Sequence, residues 1–172
     1  MSAERDAEEM LRTHWAREDG TIPLPVDPIA IAGKLDIKVF TAPLEQNVSG
    51  KLFMKVGQDP EIYLNQADSY NRQRFTCAHE LGHWTKHVAE GVESGEIVDY
   101  RGPLSSTGTD HQEIYANQFA AALLMPAEEV QRLTERGYGP IAIADTLRVS
   151  PDAAAFRVTN VGGLVGQPGP TR

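Results

Sequence analysis

Apolar positions recur at helical spacing from the start of the chain. Ala7, Met10, Leu11, His14 and Trp15 follow Ser2, a capping residue with Glu4 and Asp6 just behind it, which predicts a helix ending near Gly20. Asp27-Pro28 repeats the signal, a cap followed by proline at the first helical position, for a short helix through Ile29, Ile31, Ala32 and Leu35. The period then shortens. Ile37 to Thr41, Val48 to Val56 and Glu61 to Asn65 read as strands separated by Pro43 to Asn47 and by Gly57 to Pro60, and such short connections predict a three-stranded antiparallel meander. From Asp68 to about Glu90 the period is helical again, until Gly91 and Gly95. Residues 91–110 carry no period and read as a lid or a mobile connector. Asp110, with Glu113 three residues on, caps a helix running to Leu124, and Pro126 starts another with Glu128 and Glu129 in its first turn. Two short helices follow, Pro140 to Leu147 and Ser150 to Asn160, and the Gly- and Pro-rich stretch from Gly162 is expected to be disordered.

These elements predict an α+β fold, a small antiparallel three-stranded sheet packed on a long helix, with a mostly helical C-terminal half. Over 172 residues the expected division is a unit at 1–125 including the N-terminal helices, a small helical subdomain at 126–161 and a tail at 162–172. With 41% hydrophobic and 23% charged residues the composition is that of a globular chain. There is no apolar run long enough to span a bilayer, and the charged opening Glu4-Arg5-Asp6 lacks the apolar stretch of a signal peptide, so a cytoplasmic location is expected. Cys77 is the one cysteine, which excludes an intramolecular disulfide, and it reads as a small buried hydrophobe.

Charge narrows the partners. A formal net charge of -8 argues against direct binding of nucleic acid or an anionic membrane. Ile143, Ala144, Leu147 and Val149, then Ser150, have the flavour of a helix-turn-helix. From residue 137 onward, however, Arg148, Arg157 and Arg172 face Asp145 and Asp152, so no basic recognition surface exists and docking or packing is the expected role. Between His87 and Val130 eight acidic residues stand against Arg101 alone, so nearly all the excess charge sits in one quarter of the chain.

Within the long helix lies His79-Glu80-Leu81-Gly82-His83. Histidines at i and i+4 lie one turn apart on one face, where two imidazole nitrogens can meet one metal ion, while the intervening glutamate can reach a water on that ion. Zinc suits this set, with a third protein ligand and an open position. A histidine six residues after His83 would complete one class of site, but that position is Ala89. A carboxylate from a following helix is the other common solution. Glu113 lies on such a helix, with Asn117 one turn on and able to hydrogen-bond a ligand; Glu90, Glu93, Glu96 and Asp99 compete on spacing alone. His87 extends the histidine stripe by a further turn. Phe75, Ala78, Leu81 and Trp84 read as core, and the strand Glu61 to Asn65 can pair with an extended peptide only if it forms a sheet edge.

Arg74-Phe75-Thr76-Cys77-Ala78-His79-Glu80-Leu81-Gly82-His83, followed by Glu113-Ile114-Tyr115-Ala116-Asn117-Gln118-Phe119-Ala120-Ala121-Ala122-Leu123-Leu124-Met125-Pro126, resembles the paired signatures of the ImmA/IrrE family of metallopeptidases, over roughly Gly50 to Val165. Cys77 and Tyr115 depart from the usual pattern. The resemblance implies a zincin-like fold with one zinc ion on His79, His83 and Glu113, and Glu80 as catalytic base. It further implies a protein substrate, a basic helix-turn-helix repressor of the Xre type, whose cleavage releases phage, mobile-element or stress genes. The alternative is a zinc-stabilised anti-repressor or toxin–antitoxin-like partner that acts by binding alone. An oxyanion donor is also required, and Tyr100, Arg101, His87, His111 and Tyr115 are the nearby choices.

Overall fold

The computed structural model describes residues 2–92, 94–100 and 111–165. Helix α1, Ala3–His14, buries Ala3, Ala7, Met10 and Leu11 along one stripe. It stops well short of Gly20, because Trp15 already leaves helical geometry and its indole N–H donates to the Pro23 carbonyl at 2.7 Å. Helix α2, Pro28–Lys34, starts where the Asp27 carboxylate accepts from the Ile29 and Ala30 N–H groups at 3.0 and 3.2 Å.

Strands β1 (Lys38–Ala42), β2 (Val48–Met54), β3 (Glu61–Asn65) and β4 (Gly95–Tyr100) form one sheet in the order β1-β3-β2-β4. The expected three-stranded meander is corrected twice. First, β1 runs parallel to β3, Lys38 opposite Glu61 through Ala42 opposite Asn65, and does not pair with β2. A connection such as 43–47 reaches up to about 17 Å when extended, more than the roughly 10 Å to the next strand but one. β2 therefore skips a place, which the β2–β3 hairpin fills with β3. Second, residues 95–100 are not part of a structureless loop but form a strand antiparallel to β2, Leu52 opposite Ile97 and Lys51 opposite Val98. β3 is thus interior, and among the described residues β1 and β4 are the outer strands.

One face of the sheet carries Leu52, Ile62 and Leu64, all fully buried, into the core. Phe40 stacks on Tyr63 at 5.2 Å and Phe53 meets Tyr63 edge-on at 5.6 Å, and these three alternate with the core positions along their strands. Helix α3, Tyr70–Ala89, is capped by Ser69, and every residue from Thr76 to His83 is buried. A helix buried on all sides needs cover beyond the sheet. Helix α4 (His111–Leu124) supplies it, and α5 (Ala127–Glu135), α6 (Pro140–Leu147) and α7 (Pro151–Val165) complete the chain. α7 continues to Val165, past the expected helix end at Asn160, while 166–172 lie outside the described residues. Two arginines tie these helices to the rest. The Arg74 guanidinium donates to the carbonyls of Val26, Leu147 and Arg148, and Arg157 donates to the Met125 carbonyl at 3.0 Å and to Glu4.

Candidate metal centre

The site depends on how closely two helices approach. A Cβ on Gly82 would lie 3.0 Å from the Ala116 Cα and 3.2 Å from the Phe119 Cβ, so α4 crosses α3 at a point where only glycine leaves room. One turn before Ala116 on α4 stands Glu113, and the crossing sets it over the two histidines of α3. The Nε2 atoms of His79 and His83 are 3.0 Å apart, and the Glu113 carboxylate lies 3.1 Å from His83 Nε2 and 3.4 Å from His79 Nε2. The side chains of His79 and His83 are 3% and 2% exposed, whereas that of Glu113 is 24% exposed, so the cluster opens towards solvent on the α4 side.

Protonation follows from geometry. Asn117 Oδ1 lies 3.1 Å from His79 Nδ1, and an amide oxygen only accepts, so Nδ1 carries the ring proton and Nε2 turns a lone pair to the centre. Where Nε2 carries a proton as well, hydrogen bonds with His79 and then His83 hold the Glu113 carboxyl well below the usual carboxylate range. Convergent lone pairs beside a carboxylate suit a cation. Tetrahedral zinc with nitrogen ligands at 2.0–2.1 Å sets its donors about 3.3 Å apart, close to the separations of this cluster. His79, His83 and Glu113 are a group able to hold a metal ion.

Glu80 is one residue further round α3 and completely buried. β2 approaches it through Gly50, where a Cβ would meet Thr76 Cγ2 at 2.4 Å and Glu80 Oε1 at 3.1 Å. A side chain there would push on the glutamate and on the helix together.

The sequence profile of the peptidase family described as the IrrE N-terminal-like domain matches residues 32–159. The chain belongs to this family. A curated relative, the radiation response metalloprotease IrrE of Deinococcus radiodurans, is 33% identical over 109 residues, covering 59% of this chain and 32% of that protein. The chain therefore spans about a third of the length of the curated relative it matches. His79, Glu80, His83, Glu113 and Asn117 all fall inside the family match, and α1 lies outside it. The α+β arrangement, a helix carrying HExxH against a small sheet, is zincin-like as the family implies, with four strands where three were expected.

The remaining candidates part company. The Tyr115 hydroxyl donates to Asp6 of α1 at 2.7 Å with Lys86 over its ring, and burial, then this bond, push the phenol up. His87 is half-buried, its Nδ1 without a hydrogen-bond partner among the described residues; burial, then the nearby His83, hold its pKa down. His111 is exposed at the start of α4. Of the competing carboxylates, Glu90 and Glu96 are exposed outside the cluster, and Glu93 and the Asp99 side chain lie outside the described residues, as do Arg101, Asp110 and the Tyr100 side chain. Cys77 is fully buried, its thiol pushed up by that burial. Gly82 and Asp6 take roles that the motif and the N-terminal cap do not assign them. Glycine within a helix costs about 1 kcal/mol against alanine, so its place between the two histidines was a signal of close approach; Asp6 gave none.

Proposed function

We propose that the chain is a zinc-dependent endopeptidase that hydrolyses a peptide bond in a cognate protein, a helix-turn-helix repressor of the Xre type, so that its cleavage releases phage, mobile-element or stress genes. The convergence of two histidine Nε2 atoms and the Glu113 carboxylate beside the buried Glu80 carries the reading. In this reading His79, His83 and Glu113 hold the ion, residues 1–125 form the catalytic unit and the helices over 126–161 are an appendage without a DNA-binding role. Zinc, when bound, supplies a Lewis acid that polarises the scissile carbonyl and acidifies water to a pKa of about 7.

The chain's own residues do the rest. Asn117 keeps the proton on His79 Nδ1 and so fixes the ring's orientation. Glu80 takes the proton of the attacking water and delivers it to the leaving amine nitrogen. Its carboxylate is buried beside the Gly50 backbone. The basic surface of a DNA-binding repressor complements the acidic stretch between His87 and Val130 and makes association salt-sensitive.

The test pairs the zinc-loaded chain with candidate Xre-type repressors from its own genome, its gene neighbours first. Unaltered protein cleaves the repressor, while Glu80→Gln keeps its zinc and its fold, leaves the repressor intact and fails to relieve repression in cells. Full relief of repression by Glu80→Gln would mean that binding alone is the mechanism.

A further inference from the structure

We propose that the groove between α3, α4 and α7 receives a large apolar side chain of the peptide substrate, so that the C-terminal helix decides which bonds are cut. This rests on reading the metal centre as a peptidase site. A cavity of about 530 Å³ runs along these helices, lined by Phe75, Asn117, Ala121, Met125, Ala153 and Phe156 among others. It shares Phe75, Met125 and Ala153 with a second cavity of about 350 Å³, so the two form one continuous groove of the size that small ligands occupy.

The groove lies against the residues that support the metal centre, although none of His79, Glu80, His83 and Glu113 lines it. Asn117 lies in its wall and holds His79, and the Phe75 ring centroid is 6.3 Å from that of His79. An extended peptide advances about 3.3 Å per residue, so a side chain entering the groove belongs to a residue one or two places from a carbonyl held at the centre. The cavity of about 470 Å³ on the far side of the sheet, lined by Lys51, Lys55, Asp59 and Glu61 among others, includes none of the residues of the centre.

The chemistry of the walls selects the occupant. Aromatic and aliphatic groups supply most of the wall, and the cations bordering it already have partners: Arg157 binds Glu4 and the Met125 carbonyl, and Arg72, in the second cavity, donates to the Ser49 hydroxyl. An acidic side chain there would have to displace one of these partners, whereas an apolar one need not. Phe156 is 70% exposed on α7, a large ring held in water beside the groove, and covering it with an apolar side chain removes that exposure.

The test uses the full chain carrying Glu80→Gln, labelled with ¹³C at its methionine methyls, and the probes are blocked heptapeptides Lys-Ala-Ala-X-Ala-Ala-Lys with X as Leu, Phe, Ala or Asp. The Leu and Phe peptides shift the Met125 methyl, leave the core residues Met10 and Met54 unmoved, and bind about tenfold more tightly than the Ala peptide; the Asp peptide gives no shift. Phe156→Ala, at an exposed position, removes most of that preference, and Ala153→Trp, which fills the groove, removes it altogether. An unmoved Met125, equal binding of the four peptides, or a preference that survives both substitutions overturns the proposal. A silent Met125 with cleavage of all four peptides by the unaltered zinc-loaded chain rejects the groove and keeps the peptidase. An apolar-selective shift without cleavage of any peptide or of the repressor keeps the groove and rejects the peptidase.

Discussion

On one side of α4 the Gly82 backbone touches Ala116, and on the other α7 stands off across a cavity of about 530 Å³. The difference follows from what each contact does. Three ligand atoms must meet within a few tenths of an ångström, so the metal side has no slack and no room even for a methyl group. A surface that accommodates side chains of varied shape needs space and exposed apolar area, and α7 provides both at Ala153 and Phe156. Asn117 belongs to both sides: its amide holds His79 and its flank lines the groove.

The most severe way to break the contrast is to remove a ligand. His83→Ala should abolish stoichiometric zinc, a loss beyond the roughly 10–100-fold that an outer partner costs, read by metal analysis of the purified chain. Acid should do the same reversibly in the unaltered protein. Because Glu113 is held below the ordinary carboxylate range, it stays ionised and available as a ligand through that range, and acid weakens metal binding because each ligand atom must be free of its proton. Chelator competition across pH should therefore show a reversible loss of affinity in acid with no separate step at the ordinary carboxylate pKa. In the metal-free chain the sign for Glu113 is that of a depressed carboxyl: its stabilisation is complete above the ordinary carboxylate pKa and is lost as pH drops through the lower folded value.

Gly82→Val attacks the tight side without touching a ligand. The new methyls meet the backbone of α4, which cannot swing aside as a side chain can, so the expected cost is about 1–3 kcal/mol in denaturant unfolding, with weaker zinc binding because Glu113 moves with α4. Ala153→Ser on the loose side should change stability by less than about 0.5 kcal/mol.

The same contrast explains what could be read from the chain. His79, Glu80 and His83 were legible because an i, i+4 pair is local, fixed by helical geometry before any tertiary contact. Glu113 and Asn117 were legible because they share a helix whose cap and period stand out. β4 was not, since Ile97, Val98 and Tyr100 give too short an alternation to rise above the flanking glycines, and the parallel β1–β3 pairing depends on which place β2 takes in the sheet. The groove had no signature at all. Phe75, read as core from its spacing, lines it together with Met125 and Ala153, and none of the three looks unusual on its own helix.

Asn117→Ala should sharpen the contrast from the shared residue. It removes the acceptor of His79 Nδ1–H and leaves the three ligands in place, so zinc affinity should fall about 10–100-fold, measured by chelator competition, while Asn117→Asp keeps an acceptor and most of the affinity.

The smallest effect is expected at Tyr115, which stands two residues from Glu113 yet spends its hydroxyl on α1. Tyr115→Phe deletes one hydrogen bond to Asp6, and Lys86 can still lie over the ring, so stability should fall by only about 0.5–1.5 kcal/mol with zinc affinity unchanged. Unfolding curves and metal titration of the same sample read both quantities. A variant of full stability that fails to cleave the repressor would instead assign the hydroxyl to the reaction. It would also mean that α1, outside the family match, moves to release Tyr115 when substrate binds.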